Sequence, residues 1–303
     1  MKIMITGSAG FIGRHLSEYF AANGYQVLMP VRSDFDLTDE QSVDQYVKTK
    51  RPDIIINCAN KGGGRDTLNI GSITEMNLRM FFNIAKQSDK VHKIINFGSG
   101  AEYSKHKPVV DAKEDDAYNA MPKDEYGFYK SVCSRYIEKC DNILNLRIFA
   151  CYGEYENYRY KFITNAIVKN LLKLPIAINQ DVLFDYLYVG DFVRLVHFFT
   201  ENNTKHRAYN ITRGQKVSLT QLAGMINDSS DFKSEIAVLN EGLNNEYSSD
   251  NSRMLAETGD FTFTKHEDAI INLRRYFSEN IDKLDTETIL NDPYIKNCNK
   301  IWK

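Results

Sequence analysis

The chain has 303 residues, of which 43% are hydrophobic and 26% are charged, with six prolines and a formal net charge of −2. This composition is typical of an ordered globular protein of one or two domains. The near-zero net charge argues against a nucleic-acid partner, which would require a basic face. The apolar runs are too short to cross a membrane. Gly7 follows the first strand before the apolar stretch reaches the length of a signal-peptide core. We therefore expect a soluble, cytoplasmic protein.

The cysteines form no CxxC pair, and their odd number does not suit a disulfide framework. Reduced thiols and the absence of a metal site are expected, as is common in the cytosol. The five cysteines are Cys58, Cys133, Cys140, Cys151 and Cys298.

Residues 1–150 alternate between predicted strands and helices, the pattern of a parallel sheet with right-handed crossovers. A strand at Ile3–Ile5 precedes a helix at Phe11–Ala22, a second strand follows at Val27–Val31, and a third is expected just before Asp36. The next predicted elements are a strand at Ile54–Ile56, a helix at Met76–Ala85, a strand at Ile94–Phe97, a helix at Asp124–Cys140 and a strand at Asn145–Phe149.

The regular alternation weakens after Gly153. Helices are predicted at Phe162–Leu172 and from Ser218 toward Met225, with a strand at Phe184–Val189 between them. We therefore predict a first domain at residues 1–154 plus about 181–204, and a smaller second domain at residues 155–180 and 205–303.

Three glycines, Gly7, Gly10 and Gly13, lie in GxxGxxG spacing between the first strand and the first helix. A dinucleotide pyrophosphate needs close backbone approach and a helix N-terminus, and glycines permit both. We expect this turn, with Phe11 and Ile12, to bind the cofactor. The alternative is a structural turn without a ligand.

The second predicted strand ends without the acidic residue that usually binds the ribose of NAD. It ends instead in Val31 and Arg32, and an arginine there can pair with the 2′-phosphate of NADP. NADP(H) is therefore favoured, NAD(H) remains possible, and Arg32 could also be a solvated loop residue. Asp36 and Leu37 are expected near the adenine.

A Tyr-x-x-x-Lys pair places a phenol and an ammonium one helical turn apart, so that the ammonium can stabilise the phenolate for proton transfer. Of the three such pairs, only Tyr126/Lys130 opens a long helix after a strand that ends near a serine, Ser99. We predict that Ser99 binds a substrate carbonyl and Tyr126 supplies the proton. As an isolated residue, Ser99 could also be a turn residue. The other two pairs are Tyr46/Lys50 and Tyr103/Lys107.

Taken together, these residues resemble the extended short-chain dehydrogenase/reductase family, the NAD-dependent epimerase/dehydratase group. The resemblance implies a Rossmann-type, doubly wound parallel sheet with a smaller C-terminal α/β domain for a nucleotide-diphosphate sugar. It also implies a homodimer formed through the helices at Met76–Lys86 and Asp124–Cys140. Further residues of the resemblance are Asn57-Cys58-Ala59 after the fourth predicted strand, Asn77, Leu146-Arg147, Phe149, Tyr152-Gly153, Asp185–Asp191 and Tyr209-Asn210-Ile211. Among these, Ala59, Asn77 and Phe149 are implied to contact the cofactor, together with Tyr126 and Lys130.

Departures from the family pattern indicate the reaction. Sugar 4,6-dehydratases carry an Asp-Glu pair after the catalytic Ser/Thr, where this chain has Gly100 and Ala101. The nearest branch, GDP-fucose synthase and related 4-keto-6-deoxysugar reductases, shares the arginine after strand two and the loop Asn60–Gly64. Its epimerising cysteine and histidine correspond here to Ala101 and Lys161. Reduction alone is therefore expected.

The resulting hypothesis is an oxidoreductase that uses NADPH to reduce the C4 keto group of an NDP-4-keto-6-deoxyhexose, in deoxysugar synthesis for surface polysaccharide. Alternatives are an NDP-sugar 4-epimerase with tightly bound NAD and a non-catalytic, NADP-binding regulatory protein. On the substrate side, Phe184 replaces an arginine that often binds the diphosphate, and Ala150 replaces an expected asparagine. Substitute contacts could come from Arg253, Lys169 or Lys173. The other implied substrate residues are Lys61, Gly63, Ser99, Gly100 and Asn165.

Overall fold

The computed structural model describes residues 1–64, 67 and 71–298. Its strands are β1 (Lys2–Thr6), β2 (Gln26–Leu28), β3 (Ile54–Asn57), β4 (Lys93–Ser99), β5 (Val109–Ala112), β6 (Ile143–Ile148), β7 (Ala150–Tyr152), β8 (Ile176–Asp181), β9 (Leu183–Tyr188), β10 (Ala208–Ile211), β11 (Lys216–Ser218), β12 (Ile236–Leu243) and β13 (Tyr247–Ser249). Its α-helices are α1 (Phe11–Ala22), α2 (Glu40–Lys50), α3 (Ile73–Ala85), α4 (Glu125–Ile137), α5 (Phe162–Leu171), α6 (Val189–Glu201), α7 (Leu219–Asp228), α8 (Ser252–Thr258), α9 (His266–Glu279), α10 (Thr286–Leu290) and α11 (Pro293–Cys298).

The main sheet has six parallel strands in the order β10–β6–β4–β3–β1–β2. Successive side chains of a strand point to opposite faces. Ile3 and Ile5 therefore lie in the core that α1 and α6 cover, whereas Met4 and Ile55 lie in the core that α2, α3 and α4 cover. Helices on both faces explain why these strands are apolar throughout. The expected doubly wound, Rossmann-type α/β sheet is confirmed.

The region after β2 differs from the prediction. The second strand ends at Leu28 rather than Val31, and the strand expected before Asp36 is absent because residues 31–39 form turns. Aspartate side chains accept hydrogen bonds from nearby backbone amides there. The Val31 amide donates to the Asp34 carboxylate at 2.9 Å, and the Thr38 amide donates to the Asp36 carboxylate at 2.9 Å. Such local bonds compete with sheet pairing. The strand at Ile54–Asn57 is consequently the third of the chain and not the fourth.

A second group of elements packs beside the main sheet. Strands β11, β9, β13 and β5 form a mixed sheet with β7 paired to β9, and β8 and β12 form a parallel ribbon. Helices α5, α7 and α9 share a core that includes Ile167, Leu222 and Leu273. The predicted start of α7 is confirmed, since Ser218 and Gln221 form a reciprocal capping box. The domain boundary expected at residue 205 precedes β10, which belongs to the main sheet.

A row of polar side chains crosses the carboxyl edge of the main sheet. The Thr6 hydroxyl donates to Asn57 Oδ1 at 2.8 Å, and the Asn57 amide donates to Asn96 Oδ1 at 3.1 Å. The Asn96 amide donates in turn to Asn145 Oδ1 at 3.0 Å. Because buried amides need partners, this row fixes β1, β3, β4 and β6 relative to one another below the loops that follow them. Among the described residues, no helix has the length and apolarity to span a membrane.

Candidate active site

The glycine-rich turn after β1 packs so closely against neighbouring backbone that Gly7 and Gly13 have no room for side chains. Gly7 has φ +63°, and a Cβ there would lie 2.9 Å from the Ala59 Cα. A Cβ on Gly13 would lie 2.2 Å from the Gly7 carbonyl oxygen. The Ala59 amide also donates to Thr6 Oγ1 at 3.2 Å, which holds the segment after β3 against the turn. Ala59 therefore lies beside the glycine turn, and its contact with the cofactor stays a prediction.

Helix α1 begins directly at this turn, with Gly10 as its N-cap residue. Glycine has no side chain to cap the first-turn amides, which include those of Phe11 and Ile12. These amides and the positive end of the helix dipole suit an anionic group. The turn therefore fits the pyrophosphate of a dinucleotide.

The loop after β2 lies at the same sheet edge, because β1 and β2 are parallel neighbours. Arg32 is exposed on this loop. Hydrogen bonds from Thr38 lower the pKa of Asp36, and Arg32 adds a smaller effect. The Leu37 carbonyl accepts a hydrogen bond from Asn83 Nδ2 at 2.9 Å, which ties the loop to α3. Arg32 thus lies on the loop after β2, and its contact with a 2′-phosphate stays a prediction.

Tyr126 and Lys130 lie one turn apart near the start of α4, which Asp124 caps by accepting from the Gly127 amide at 2.8 Å. Lys130 is buried, and its ammonium donates to the Phe97 carbonyl at 2.6 Å. The same ammonium lies 5.7 Å from the centroid of the Tyr126 ring. Lys130 is therefore held between the end of β4 and the phenol that it is predicted to assist.

The loop at residues 60–64 packs against the same face of α4. Gly63 has φ +92°, and a Cβ there would lie 2.3 Å from the Tyr126 ring carbons. The Tyr129 hydroxyl donates to Asn60 Oδ1. Asn77 holds this loop in place, because its side chain accepts from the Lys61 amide and donates to the Lys61 carbonyl, both at 2.8 Å. The described contacts of Asn77 are thus with protein backbone.

Ser99 lies at the carboxyl end of β4 and caps a short 3₁₀ helix, Gly100–Tyr103. Its Oγ accepts a hydrogen bond from the Ala101 amide at 3.1 Å, which leaves the hydroxyl hydrogen available to a substrate oxygen. The turn touches α4 directly, since a Cβ on Gly127 would lie 2.7 Å from the Ala101 carbonyl oxygen. The structure therefore brings Ser99, Tyr126 and Lys130 to one edge of the sheet.

A fully buried ion pair supports the Ser99 turn. Glu102 Oε1 accepts from the Ser99 amide at 2.9 Å, and Glu102 Oε2 accepts from Arg147 Nε at 2.6 Å. The Arg147 guanidinium also donates to the Glu114 carbonyl and to the Ser134 hydroxyl. Sequence reasoning did not assign these roles. The available signal was an arginine inside a buried, mostly apolar strand, where its charge requires a partner.

Aromatic side chains also pack against the Ser99 turn. Phe149 packs against Tyr103 at 5.4 Å and against Tyr247 at 4.9 Å between ring centroids. Phe184 contacts Tyr247 edge-to-face at 5.9 Å. A Cβ on Gly100 would lie 2.8 Å from the Phe149 ring. Gly100 and Phe149 therefore lie beside Ser99, and Phe184 joins them through Tyr247, a residue that no sequence pattern had indicated.

A cavity of about 180 Å³ opens in front of Tyr126. It is enclosed by side chains from the loop after Ser99, from the start of α4 and from the segment before β13. Its lining residues are Gly63, Ala101, Lys105, His106, Asp124, Tyr126 and Asn245.

Several residues expected to bind the substrate have their described contacts away from the Ser99 turn and Tyr126. Arg253 pairs with Glu114 and Asp115 and lines a separate cavity of about 510 Å³. Lys169 forms a buried ion pair with Asp292 at 2.6 Å. Asn165 is a buried residue of α5, and its side-chain amide donates a hydrogen bond to the Tyr158 carbonyl at 3.0 Å. The structure does not place these three side chains against Ser99 or Tyr126. Lys173 is exposed just after α5, and the pair Tyr46/Lys50 lies on α2.

One buried carboxyl near this region responds to pH. Glu156 is buried, and burial raises its pKa to about 7 from 4.5, although Thr164 Oγ1 donates to it at 3.1 Å. Between pH 4.5 and 7 the folded protein keeps a proton that the unfolded chain releases. This contribution to stability is therefore complete below pH 4.5 and is lost as the pH rises through 7.

We predict that Glu156→Gln becomes more stable relative to the wild type as the pH rises from 5 to 8.5. The relative gain in free energy of unfolding should be on the order of 3 kcal/mol, because the amide never ionises. Urea unfolding at several pH values measures this difference, and the exposed Glu279→Gln provides the control. A difference that does not change with pH would contradict the assignment.

A glycine turn at the first βα junction, beside a Ser, Tyr and Lys at the same sheet edge, is the arrangement of a nicotinamide-dependent, Rossmann-type enzyme. Comparison with known families agrees. The sequence model of the NAD dependent epimerase/dehydratase family matches residues 3–212, and the chain belongs to that family. The family resemblance and the expectation of an NAD(P)-dependent enzyme are thereby confirmed.

Relatives with assigned activities are distant. A GDP-L-fucose synthase from Azorhizobium caulinodans is 26% identical over 220 residues, covering 64% of this chain and 69% of the relative. A GDP-L-colitose synthase from Yersinia pseudotuberculosis is 22% identical over 249 residues, covering 73% and 79%. Both are sugar-nucleotide enzymes by name.

Among solved structures, a GDP-mannoheptose C4 reductase from Campylobacter jejuni with bound NADP superimposes with a TM-score of 0.79 at 19% identity. The match covers 91% of this chain and 98% of the reductase. A UDP-glucose 4-epimerase from Thermotoga maritima gives a TM-score of 0.80 at 20% identity, covering 93% and 100%. At these identities the likeness shows a shared fold.

Proposed function

We propose that the protein uses NADPH to reduce the C4 keto group of an NDP-4-keto-6-deoxyhexose. The observation that carries this proposal is the convergence of Ser99, Tyr126 and Lys130 on a turn with no acidic side chain at positions 100 and 101. The relatives' names, which include a fucose synthase, a colitose synthase and a heptose C4 reductase, support the same substrate class.

Each of the three residues has a distinct task. The bound dinucleotide supplies the hydride. Ser99 donates a hydrogen bond to the carbonyl oxygen, and Tyr126 protonates this oxygen as negative charge develops on it. The buried ammonium of Lys130 is held by its hydrogen bond to the Phe97 carbonyl. It stabilises the phenolate that forms when Tyr126 gives up its proton. The glycine turn, Arg32, Asp36, Leu37 and Ala59 would hold the remainder of the cofactor.

Two other reactions of the family would need residues that this chain does not have at the expected positions. Elimination of water across C5 and C6 requires an acid and a base after the serine, and glycine and alanine provide neither. Epimerisation at C3 and C5 needs a proton donor at position 101, where alanine stands, while Lys161 is exposed before α5. Reduction at C4 needs only the three residues present.

The cofactor preference follows from Arg32. We predict that Arg32→Ala loses the preference for NADPH over NADH, a change of about tenfold or more in the ratio of kcat/KM values, because a charge-assisted contact to the 2′-phosphate disappears. Steady-state kinetics with both cofactors measure the ratio. Arg51→Ala, at the far end of α2, is the control. An unchanged ratio for Arg32→Ala would refute the NADP(H) assignment.

A substrate screen tests the proposed activity. Purified protein is incubated with NADPH and with dTDP-, GDP-, CDP- and UDP-linked 4-keto-6-deoxyhexoses, and NADPH oxidation is followed at 340 nm. At least one substrate should be reduced stoichiometrically. Interconversion of NDP-hexoses without added NADPH, by protein that carries bound NAD, would instead identify a 4-epimerase. Cofactor binding without turnover of any sugar would identify a non-catalytic protein.

We further propose that residues 155–180 and much of residues 212–298 form the sugar-nucleotide side of the site.

We also propose that two copies of the chain pair through the outer faces of α3 and α4. Exposed aromatic groups on α4, Phe128 and Tyr136, support the pairing, as does the contact of Tyr136 with Phe82 of α3. Sedimentation analysis of the wild type and of Tyr136→Glu tests the assembly, which the glutamate should weaken.

A further inference from the structure

A tyrosine hydroxyl lies buried beside the candidate site with no hydrogen-bond partner among the described residues. This group is the hydroxyl of Tyr247, a residue that is 7% exposed. A buried polar group without a partner costs free energy and is rare in native proteins. Such a group is satisfied when a ligand or a water molecule binds to it.

The hydroxyl lies directly against the turn that follows Ser99. A Cβ on Gly100 would lie only 2.1 Å from the Tyr247 hydroxyl oxygen. The phenol therefore occupies the space into which a side chain at position 100 would project, directly after Ser99. Tyr247, which lies on β13, thus supplies a hydroxyl beside Gly100, a residue that has no side chain of its own.

The ring is held firmly in this position. Strand β13 carries Tyr247 and pairs with both β5 and β9. Phe149 and Phe184 pack against the ring, and the Lys105 ammonium lies 4.5 Å from its centroid. A rigid aromatic side chain loses little entropy when its hydroxyl binds a ligand.

The hydroxyl keeps its proton. Burial raises the pKa of Tyr247 well above its usual value, the nearby Tyr126 phenol adds to this effect, and a polar contact with the Ser99 hydroxyl, outside hydrogen-bond geometry, opposes it. Both reacting side chains are therefore close to Tyr247. A neutral phenol in such a place acts as a hydrogen-bond donor rather than as a base.

We propose that the Tyr247 hydroxyl donates a hydrogen bond to an oxygen of the bound hexose, beside the oxygen that Ser99 holds. This inference rests on the proposed function and adds a residue that positions the sugar and discriminates among sugars. The preferred ligand is a hexose with an oxygen substituent next to the reacting carbon. A sugar that lacks this oxygen leaves the phenol unpartnered and binds more weakly.

The test compares Tyr247→Phe with the wild type and with Tyr209→Phe. Tyr209 lies on β10, away from the candidate site. Its hydroxyl is also buried, but it donates a hydrogen bond to Glu257 Oε1 at 2.6 Å. Binding of NDP-hexoses to the NADP⁺-saturated proteins is measured by calorimetry, and thermal midpoints are recorded for the free proteins.

Tyr247→Phe should bind the NDP-hexose about tenfold more weakly and lower kcat/KM by a similar factor. Its affinity for NADPH should not change. Its thermal midpoint should equal or exceed that of the wild type, because no protein hydrogen bond is lost. Tyr209→Phe should show the reverse pattern, a lower midpoint with unchanged sugar binding.

Three results distinguish the ways in which the proposal can fail. If the wild type and Tyr247→Phe bind an NDP-hexose equally, the role of Tyr247 is refuted while the proposed activity stands. If the wild type neither binds nor converts any NDP-hexose, the proposed function fails and this inference fails with it. A lower thermal midpoint for Tyr247→Phe with unchanged sugar binding would assign the hydroxyl a purely structural role.

Discussion

Replacement of Tyr126 by phenylalanine is expected to reduce turnover about a thousandfold while the affinity for NADPH stays nearly constant. The phenol is the proton donor in the proposed reaction, and the ring without its hydroxyl still fills the space against Gly63 and Tyr129. Lys130 remains hydrogen-bonded to the Phe97 carbonyl, so the cofactor side of the site is preserved.

Single-turnover kinetics and fluorescence titration with NADPH measure the two quantities separately. Tyr46→Phe is a matched control, because Tyr46 belongs to a pair of the same spacing with Lys50 on α2. That variant should keep wild-type turnover. Turnover of Tyr126→Phe within a factor of three of the wild type would remove Tyr126 from the mechanism.

The second large effect is expected from Glu102→Gln, which should lower the free energy of unfolding by about 3–5 kcal/mol. The glutamine can still accept a hydrogen bond from the Ser99 amide. It leaves the Arg147 guanidinium buried without a counter-charge, however, and arginine cannot escape this cost by losing its proton. The loss should therefore be large although the two side chains have nearly the same shape.

Urea unfolding followed by circular dichroism measures the change. Glu75→Gln is the control, because its ion pair with Arg79 is exposed and should contribute less than about 1 kcal/mol. A loss below 1 kcal/mol for Glu102→Gln would show that the Glu102–Arg147 pair does not hold the Ser99 turn.

The parts of the site that the sequence predicted are those with a local signal. The spacing of Gly7, Gly10 and Gly13 predicted the turn that the structure contains, and the position of Tyr126 after a strand ending near Ser99 distinguished it from the other two tyrosines. These patterns are informative because a glycine turn and a one-turn helical spacing are fixed by neighbouring residues.

The parts that the sequence did not predict depend on distant residues. Tyr247 reaches the Ser99 turn through the pairing of β13 with β5 and β9, which no local pattern encodes. Arg253 and Lys169 are ion-paired to acidic groups that only the tertiary structure brings near them. The prediction of a strand before Asp36 was wrong because the side chains of Asp34 and Asp36 close turns in this segment.

Isotope transfer tests the central claim most directly. The protein is incubated with an accepted NDP-4-keto-6-deoxyhexose and NADPH carrying deuterium at the transferable position of C4, and the product sugar is analysed by mass spectrometry and NMR. Our account predicts one deuterium at C4 of the sugar for each NADPH oxidised. A product without deuterium at C4, or sugar conversion without net oxidation of NADPH, would contradict it.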